Sequence, residues 1–165
     1  MVLLRLRSLM RRENGTALVE MTLVMPVLLL LLGGFTEFGR MLYMHQVVET
    51  AARTTARYLA RAPSIDQDPS DGCADSGSGV AHAARNIAIY GNASGTGTPR
   101  LSHWPSEGLG TICITGPVAG PVAGTEIVRA VVRLPYNDVG LLGVIGLTAP
   151  DLTATHEERY SGGNG

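Results

Sequence analysis

The sequence predicts an α+β protein: a long N-terminal transmembrane-plus-amphipathic helix, then a small head with a short helix and about three or four antiparallel strands. Three observations predict it. Residues 17–36 are almost continuously apolar. An apolar period of three and four residues follows without a break to about residue 61. Beyond it, short alternating segments sit between Gly- and Pro-rich turns. At 165 residues the chain has room for one modest domain and an anchor, not for two independent cores.

Residues 1–15 form a short basic leader. Arg5, Arg7, Arg11 and Arg12 are opposed there only by Glu13, and the next basic residue is Arg40. The apolar stretch 17–36 contains five consecutive leucines and just meets the ~20 residues a bilayer span requires. A buried helix of a soluble protein would show a polar face over this length. A cleaved secretory signal shares the basic start and the leucine run. It also needs small residues before its cut, and Leu32-Gly33-Gly34-Phe35-Thr36-Glu37 offers no such pair. The expectation is an uncleaved single-pass anchor. Four arginines precede the span, while Arg40 and Arg53 alone follow within the window that sets orientation, so the N-terminus is expected in the cytoplasm and the remainder exported.

After the span, Phe38, Met41, Leu42, His45, Val48, Ala52, Thr55 and Leu59 recur at helical steps, with Glu37, Arg40, Glu49, Arg53, Arg57 and Arg61 filling much of the rest. Ala62-Pro63 is a natural stop. One helix over 16–61 would be ~65–70 Å long against a hydrocarbon core of ~30 Å. More than half of it would stand outside the bilayer, and its apolar stripe needs cover from the downstream domain or from neighbouring copies.

The head is expected over 62–165. Residues 63–79 read as a loop, 80–90 as a short helix ended by Gly91-Asn92, and 91–110 as turns. Strands are expected at 111–115, at 125–134 with Arg129 and Arg133 on one face, and more weakly at 152–159. The tandem Gly-Pro-Val-Ala at 116–119 and 120–123 reads as a loop. Trp104 is a core plug or an interfacial anchor. Cys73 and Cys113 both follow the span, so an oxidising compartment would let them close one disulfide, with a loop-entropy gain of roughly 4 kcal/mol; the other reading is two unpaired thiols.

No constellation for catalysis is present. The net charge of −1 does not advertise nucleic-acid binding. Asp66-Gln67-Asp68-Pro69-Ser70-Asp71-Gly72 invites a calcium reading, but an EF-hand loop begun at Asp66 would need Gly at position 71 and Glu at position 77, which are Asp71 and Gly77. His45, His82, His103 and His156 are scattered, and two cysteines do not make a zinc site. Phosphate-loop, dinucleotide and nucleophile-elbow motifs are missing from the sequence. The chain is expected to be no enzyme and to need neither cofactor nor metal.

The informative segment is Arg11-Arg12-Glu13-Asn14-Gly15-Thr16-Ala17-Leu18-Val19-Glu20-Met21. A Gly stands at the membrane boundary, and a Glu follows five residues later inside the apolar helix. Insertion scales put Asp, Lys and Arg at about 2.5–3.5 kcal/mol at mid-helix, less near an end, so an intramembrane carboxylate wants a partner. Glu20 lies one turn after Thr16, and an amine freed at Thr16 would neutralise it, in the same chain or in a neighbour. Pro26 marks a kink or a melted turn, tolerated where neighbours re-satisfy the backbone. Gly33-Gly34 and Gly39 permit close helix approach without making a strict GxxxG.

This segment resembles the processing site of type IV pilin-like proteins. Gly15-Thr16-Ala17-Leu18-Val19-Glu20-Met21-Thr22-Leu23-Val24-Met25-Pro26, with Glu37-Phe38-Gly39-Arg40 behind it, resembles the TadE-like family, pseudopilins of the tight-adherence (Flp-type) pilus machinery. The similarity is strong over 11–61 and weaker over 125–159. Met21 departs from the aromatic residue common at its place. The resemblance implies that Gly15 precedes the bond cut by a prepilin peptidase, that Thr16 becomes the mature N-terminus, and that Glu20 guides recognition or packing, with Pro26 and Glu37 sharing in helix packing. It implies other pilin-like subunits, the pilus assembly machinery and membrane lipid as partners, and a bacterial inner membrane with the head in the periplasm. The alternative is a permanently membrane-anchored periplasmic binding or scaffolding module.

Overall fold

The structure, a computed structural model, describes residues 2–65, 73, 79–102, 104, 112–137, 140–144 and 146–162, with the backbone alone for 2–14, 141 and 144. The elements in chain order are α1 (Val2–Leu59), α2 (Gly79–Tyr90), β1 (Ile112–Ala119), β2 (Glu126–Pro135), α3 (Leu141–Val144) and β3 (Asp151–Arg159). The α+β layout therefore stands: a long apolar helix, a short helix and a three-stranded antiparallel sheet among the described residues. Helix α1 begins earlier than residue 16 because the leader is rich in Leu, Arg and Met, strong helix formers, and carries no proline. The chain divides into two compact units, Met1–Arg40 and Met41–Gly165.

In the second unit, the core forms where α1, α2 and the inner face of the sheet meet. Met44, Val48, Ala51, Ala52, Thr55, Ala56 and Leu59 of α1 are buried, at the three- and four-residue steps that place them on one side of the helix. Ala81, Ala84, Ala88 and Ile89 are the buried apolar residues of α2. Small side chains let two helices approach closely, and the Thr55 hydroxyl donates across the crossing to the Ala84 carbonyl at 3.4 Å. A second tie runs from α2 to the sheet: the buried Arg85 Nε donates to the Ile112 carbonyl at 3.3 Å.

The sheet order is β1-β2-β3, antiparallel throughout. Side chains alternate across the pleat, so Ile112 and Ile114, then Val128, Ala130, Val132 and Leu134, then Leu152 and Ala154 all turn to the core. Arg129 and Arg133 lie on the other face, where Arg129 pairs with its cross-strand neighbour Glu157 at 2.7 Å. Leu101, Trp104 and Tyr136 complete the core. Trp104 is thus a core plug.

One expectation is corrected. Residues 116–119, the first Gly-Pro-Val-Ala, continue β1 instead of forming a loop, and the turn falls on the second copy. The register with β2 shifts between Thr115 and Val118, so Gly116 and Pro117 sit in a bulge, where a residue lacking an N–H costs no ladder bond. Gly116 has φ +125°, and a Cβ there would meet the Ile127 carbonyl oxygen at 2.7 Å. A glycine is required. The hairpin then closes through Gly120 N donating to Thr125 O at 2.8 Å.

The C-terminus of α1 is held by the segment after β3. Ser161 donates its N–H and its hydroxyl to the Ala60 carbonyl at 2.8 and 3.0 Å, and the Tyr160 hydroxyl donates to the Ala62 carbonyl at 2.9 Å. These acceptors lie just where a helix runs out of its own donors. Cys73 and Cys113 are joined in a disulfide that closes a 40-residue separation, with Cα atoms 5.2 Å apart. Since Leu134 is wholly buried in the sheet's core layer, Leu134→Ala is expected to destabilise the second unit by about 2–5 kcal/mol, read by denaturant unfolding of the full chain in detergent followed by near-UV circular dichroism.

Candidate functional site

The first unit is its own site. From Leu18 to Phe35 the large apolar side chains are 42–73 % exposed, and none of this span is buried against the rest of the chain. A helix that is apolar all round and uncovered has two stable settings, hydrocarbon or the flank of other helices. This is one helix, near the N-terminus, long and apolar enough to cross a bilayer, as in a single-pass membrane protein.

Its polar groups are handled within the helix. The Thr22 hydroxyl lies 2.8 Å from both the Leu18 and the Val19 carbonyl, and the Thr36 hydroxyl donates to Gly33 O at 2.8 Å. These threonines bring no unsatisfied donor into an apolar medium. Pro26 lies inside α1, which continues on both sides of it. Its missing N–H deprives the Thr22 carbonyl of its helical partner, one turn from where the Thr22 hydroxyl bonds back.

Between residues 16 and 36 Glu20 is the sole ionisable side chain. It is exposed, and among the described residues it has no ion-pair or hydrogen-bond partner. Thr16 stands one helical turn before it. Glu37 contrasts with it. Its side chain is 7 % exposed and engaged in an interaction, and it begins the same helical stripe that continues through Met41, Met44, Val48 and Ala51. The structure therefore separates the two carboxylates that the sequence groups as packing residues: Glu20 is exposed, and Glu37 is buried.

Gly15 is helical and not part of a preceding loop, and a Cβ there would meet nothing within 4 Å. The same holds for Gly34 and Gly39. Contacts within the chain do not explain these glycines, although each lowers helix stability by about 0.8–1.0 kcal/mol relative to Ala.

Comparison with known proteins decides the family of this helix. Residues 15–57 match the family model described as TadE-like protein. The chain carries a TadE-like helix. The matched region begins at Gly15, contains Thr16, Glu20, Pro26 and Glu37, and ends before the sheet. The matched family is one of the tight-adherence pilus system. No curated protein and no solved structure matches the chain.

Sequence reasoning missed a second set of residues, in the second unit. Arg57 on α1, Arg61 just past its end and Arg159 at the end of β3 share one groove with Ala60, Glu158 and Ser161, about 400 Å³ in volume. The spacing of Arg57 and Arg61 marks them as neighbours on a helix face, but nothing local brings in Arg159, about a hundred residues later. A shallower groove of about 340 Å³ lies between Tyr43, Gln46, Val47, Thr50 and Arg100. Among the described residues no three of His, Cys, Asp and Glu gather in the way a metal ion would need. The acidic segment 66–72 falls outside the described residues.

An apolar side chain at position 20 removes the one charge from residues 16–36. Glu20→Leu is expected to raise the inserted fraction in a translocon insertion assay by at least threefold, with Thr22→Val, a hydroxyl already satisfied, changing it by less than twofold.

Proposed function

We propose that the chain is a non-enzymatic pseudopilin-like subunit taking part in assembly of a tight-adherence (Flp-type) pilus or a related secretion system. One observation carries this reading: an uncovered apolar stretch, residues 16–36, whose single carboxylate, Glu20, is exposed one turn after Thr16 and has no partner among the described residues, within a segment that matches the TadE-like family. Such a carboxylate is stabilised in lipid by a counter-charge, and an α-amine released at Thr16 is the counter-charge nearest to hand.

In this reading the basic leader stays in the cytoplasm and the second unit lies in the periplasm of a bacterial inner-membrane protein, in keeping with the arginine bias around the span. The Cys73–Cys113 disulfide supports an oxidising compartment for that unit. A prepilin peptidase cuts between Gly15 and Thr16. Gly15 supports this because the strand entering a protease cleft must leave the helix, and glycine resists unwinding least. Uncut chains are held in the bilayer by the span. Cut chains pack Glu20 against the new amine of the same or a neighbouring subunit, and the exposed face of α1 then exchanges lipid for other pilin-like helices of the assembly machinery.

N-terminal sequencing of the chain purified from membranes tests the processing step. A mature chain that starts at Thr16 is expected, and an intact leader would favour a permanently anchored periplasmic binding or scaffolding module. Glu20→Ala should reduce surface piliation at least tenfold while leaving the chain in the membrane fraction; normal piliation by that variant would remove the central residue of this reading.

A further inference from the structure

The groove between the end of α1 and the end of β3 collects positive charge that the fold does not use. Arg57, Arg61 and Arg159 line it and are exposed, and among the described residues none of the three has a carboxylate within ion-pair distance. The other exposed arginines with carboxylate neighbours are already engaged: Arg53 with Glu49 at 3.3 Å and Arg129 with Glu157 at 2.7 Å. Glu158, the one carboxylate lining the groove, is turned to His156 at 3.3 Å.

The groove is also built rather than casual. Ser161 binds the Ala60 carbonyl twice, and Tyr160 reaches the Ala62 and Pro63 carbonyls at 2.9 and 3.2 Å. These bonds fix the strand that carries Arg159 against the end of the helix that carries Arg57 and the turn that carries Arg61. Three guanidinium forks from two elements, held at a set spacing, suit several carboxylates presented along one extended chain, each taken bidentately. A single small anion would fill little of a groove of about 400 Å³.

We propose that this groove docks an acidic segment of a partner polypeptide, recognised by Arg57, Arg61 and Arg159. Of its three arginines only Arg57 falls within the TadE-like match, at its last residue, and the proposal holds whether or not the leader is processed. An association of this kind is steered by charge and weakens with salt.

The test uses the full chain in nanodiscs of zwitterionic lipid, with a fluorescein-labelled deca-aspartate peptide as probe and anisotropy as the readout. The native chain is expected to bind the peptide, and Arg57→Gln/Arg61→Gln/Arg159→Gln to bind it at least tenfold more weakly. The control Arg129→Gln/Arg133→Gln, which removes two arginines from the sheet's other face, should change affinity by less than twofold. Arg61→Gln alone, an exposed position, should weaken binding about threefold, which keeps the test open if the triple variant misfolds. Absence of binding by the native chain, or equal loss in the triple variant and the control, overturns the proposal. So does displacement of the peptide by inorganic phosphate at the peptide's own concentration, or by anionic-lipid vesicles at equal charge, since either assigns the groove to a different ligand.

Discussion

The apolar stretch at the start of the TadE-like match has no cover of its own. A side chain such as Leu or Phe gains about 1.5–3 kcal/mol on leaving water, and from Leu18 to Phe35 the span leaves more than a dozen of them outside any intrachain packing. The chain alone does not supply an environment in which this stretch is stable. Lipid or other apolar surfaces must do so, and every functional statement about the molecule descends from that requirement. The internal satisfaction of Thr22 and Thr36 fits the same setting, because hydroxyls that bond to their own helix make no demand on an apolar surrounding.

Against that background the two acidic residues of the region have opposite physics. Glu37 is buried and has found its interaction within the fold. Glu20 is left outward in a stretch that holds no other charge. A carboxylate in that position is a cost unless something external neutralises it, so its presence directs attention to a neighbour and to the terminus that cleavage would create. Pro26 and the glycines at 15, 34 and 39 follow the same logic. Each weakens the helix, and at the three glycines open space surrounds the missing side chain.

The second unit is stabilised by different means. Its core has few aromatics, and close approach takes their place: alanines along α1 and α2, with Thr55 bonded across to Ala84, let the helices meet near the backbone. The three-stranded sheet is small, and three ties hold its surroundings in place. The disulfide anchors residue 73 on β1, Arg85 bonds β1 to α2, and Tyr160 and Ser161 bond the chain after β3 to the end of α1. The last of these ties also builds the arginine groove.

The sequence alone determined the helix, the apolar span, the positions of α2 and of the three strands to within a few residues, and the isolation of Glu20, because each depends on local pattern: hydrophobic run, helical period, alternation, and charge counted along the chain. It also held the family resemblance, since Gly15, Glu20, Pro26 and the Glu37-Phe38-Gly39-Arg40 segment are neighbours in the chain. Tertiary structure decided what depends on partners far apart. That 116–119 extend β1 because a bulge opposite Ile127 accepts Gly116 and Pro117, and that Arg159 joins Arg57 and Arg61, both require segments up to a hundred residues apart to meet. Periodicity carries no record of such meetings, because the forces that make them act across space and not along the chain.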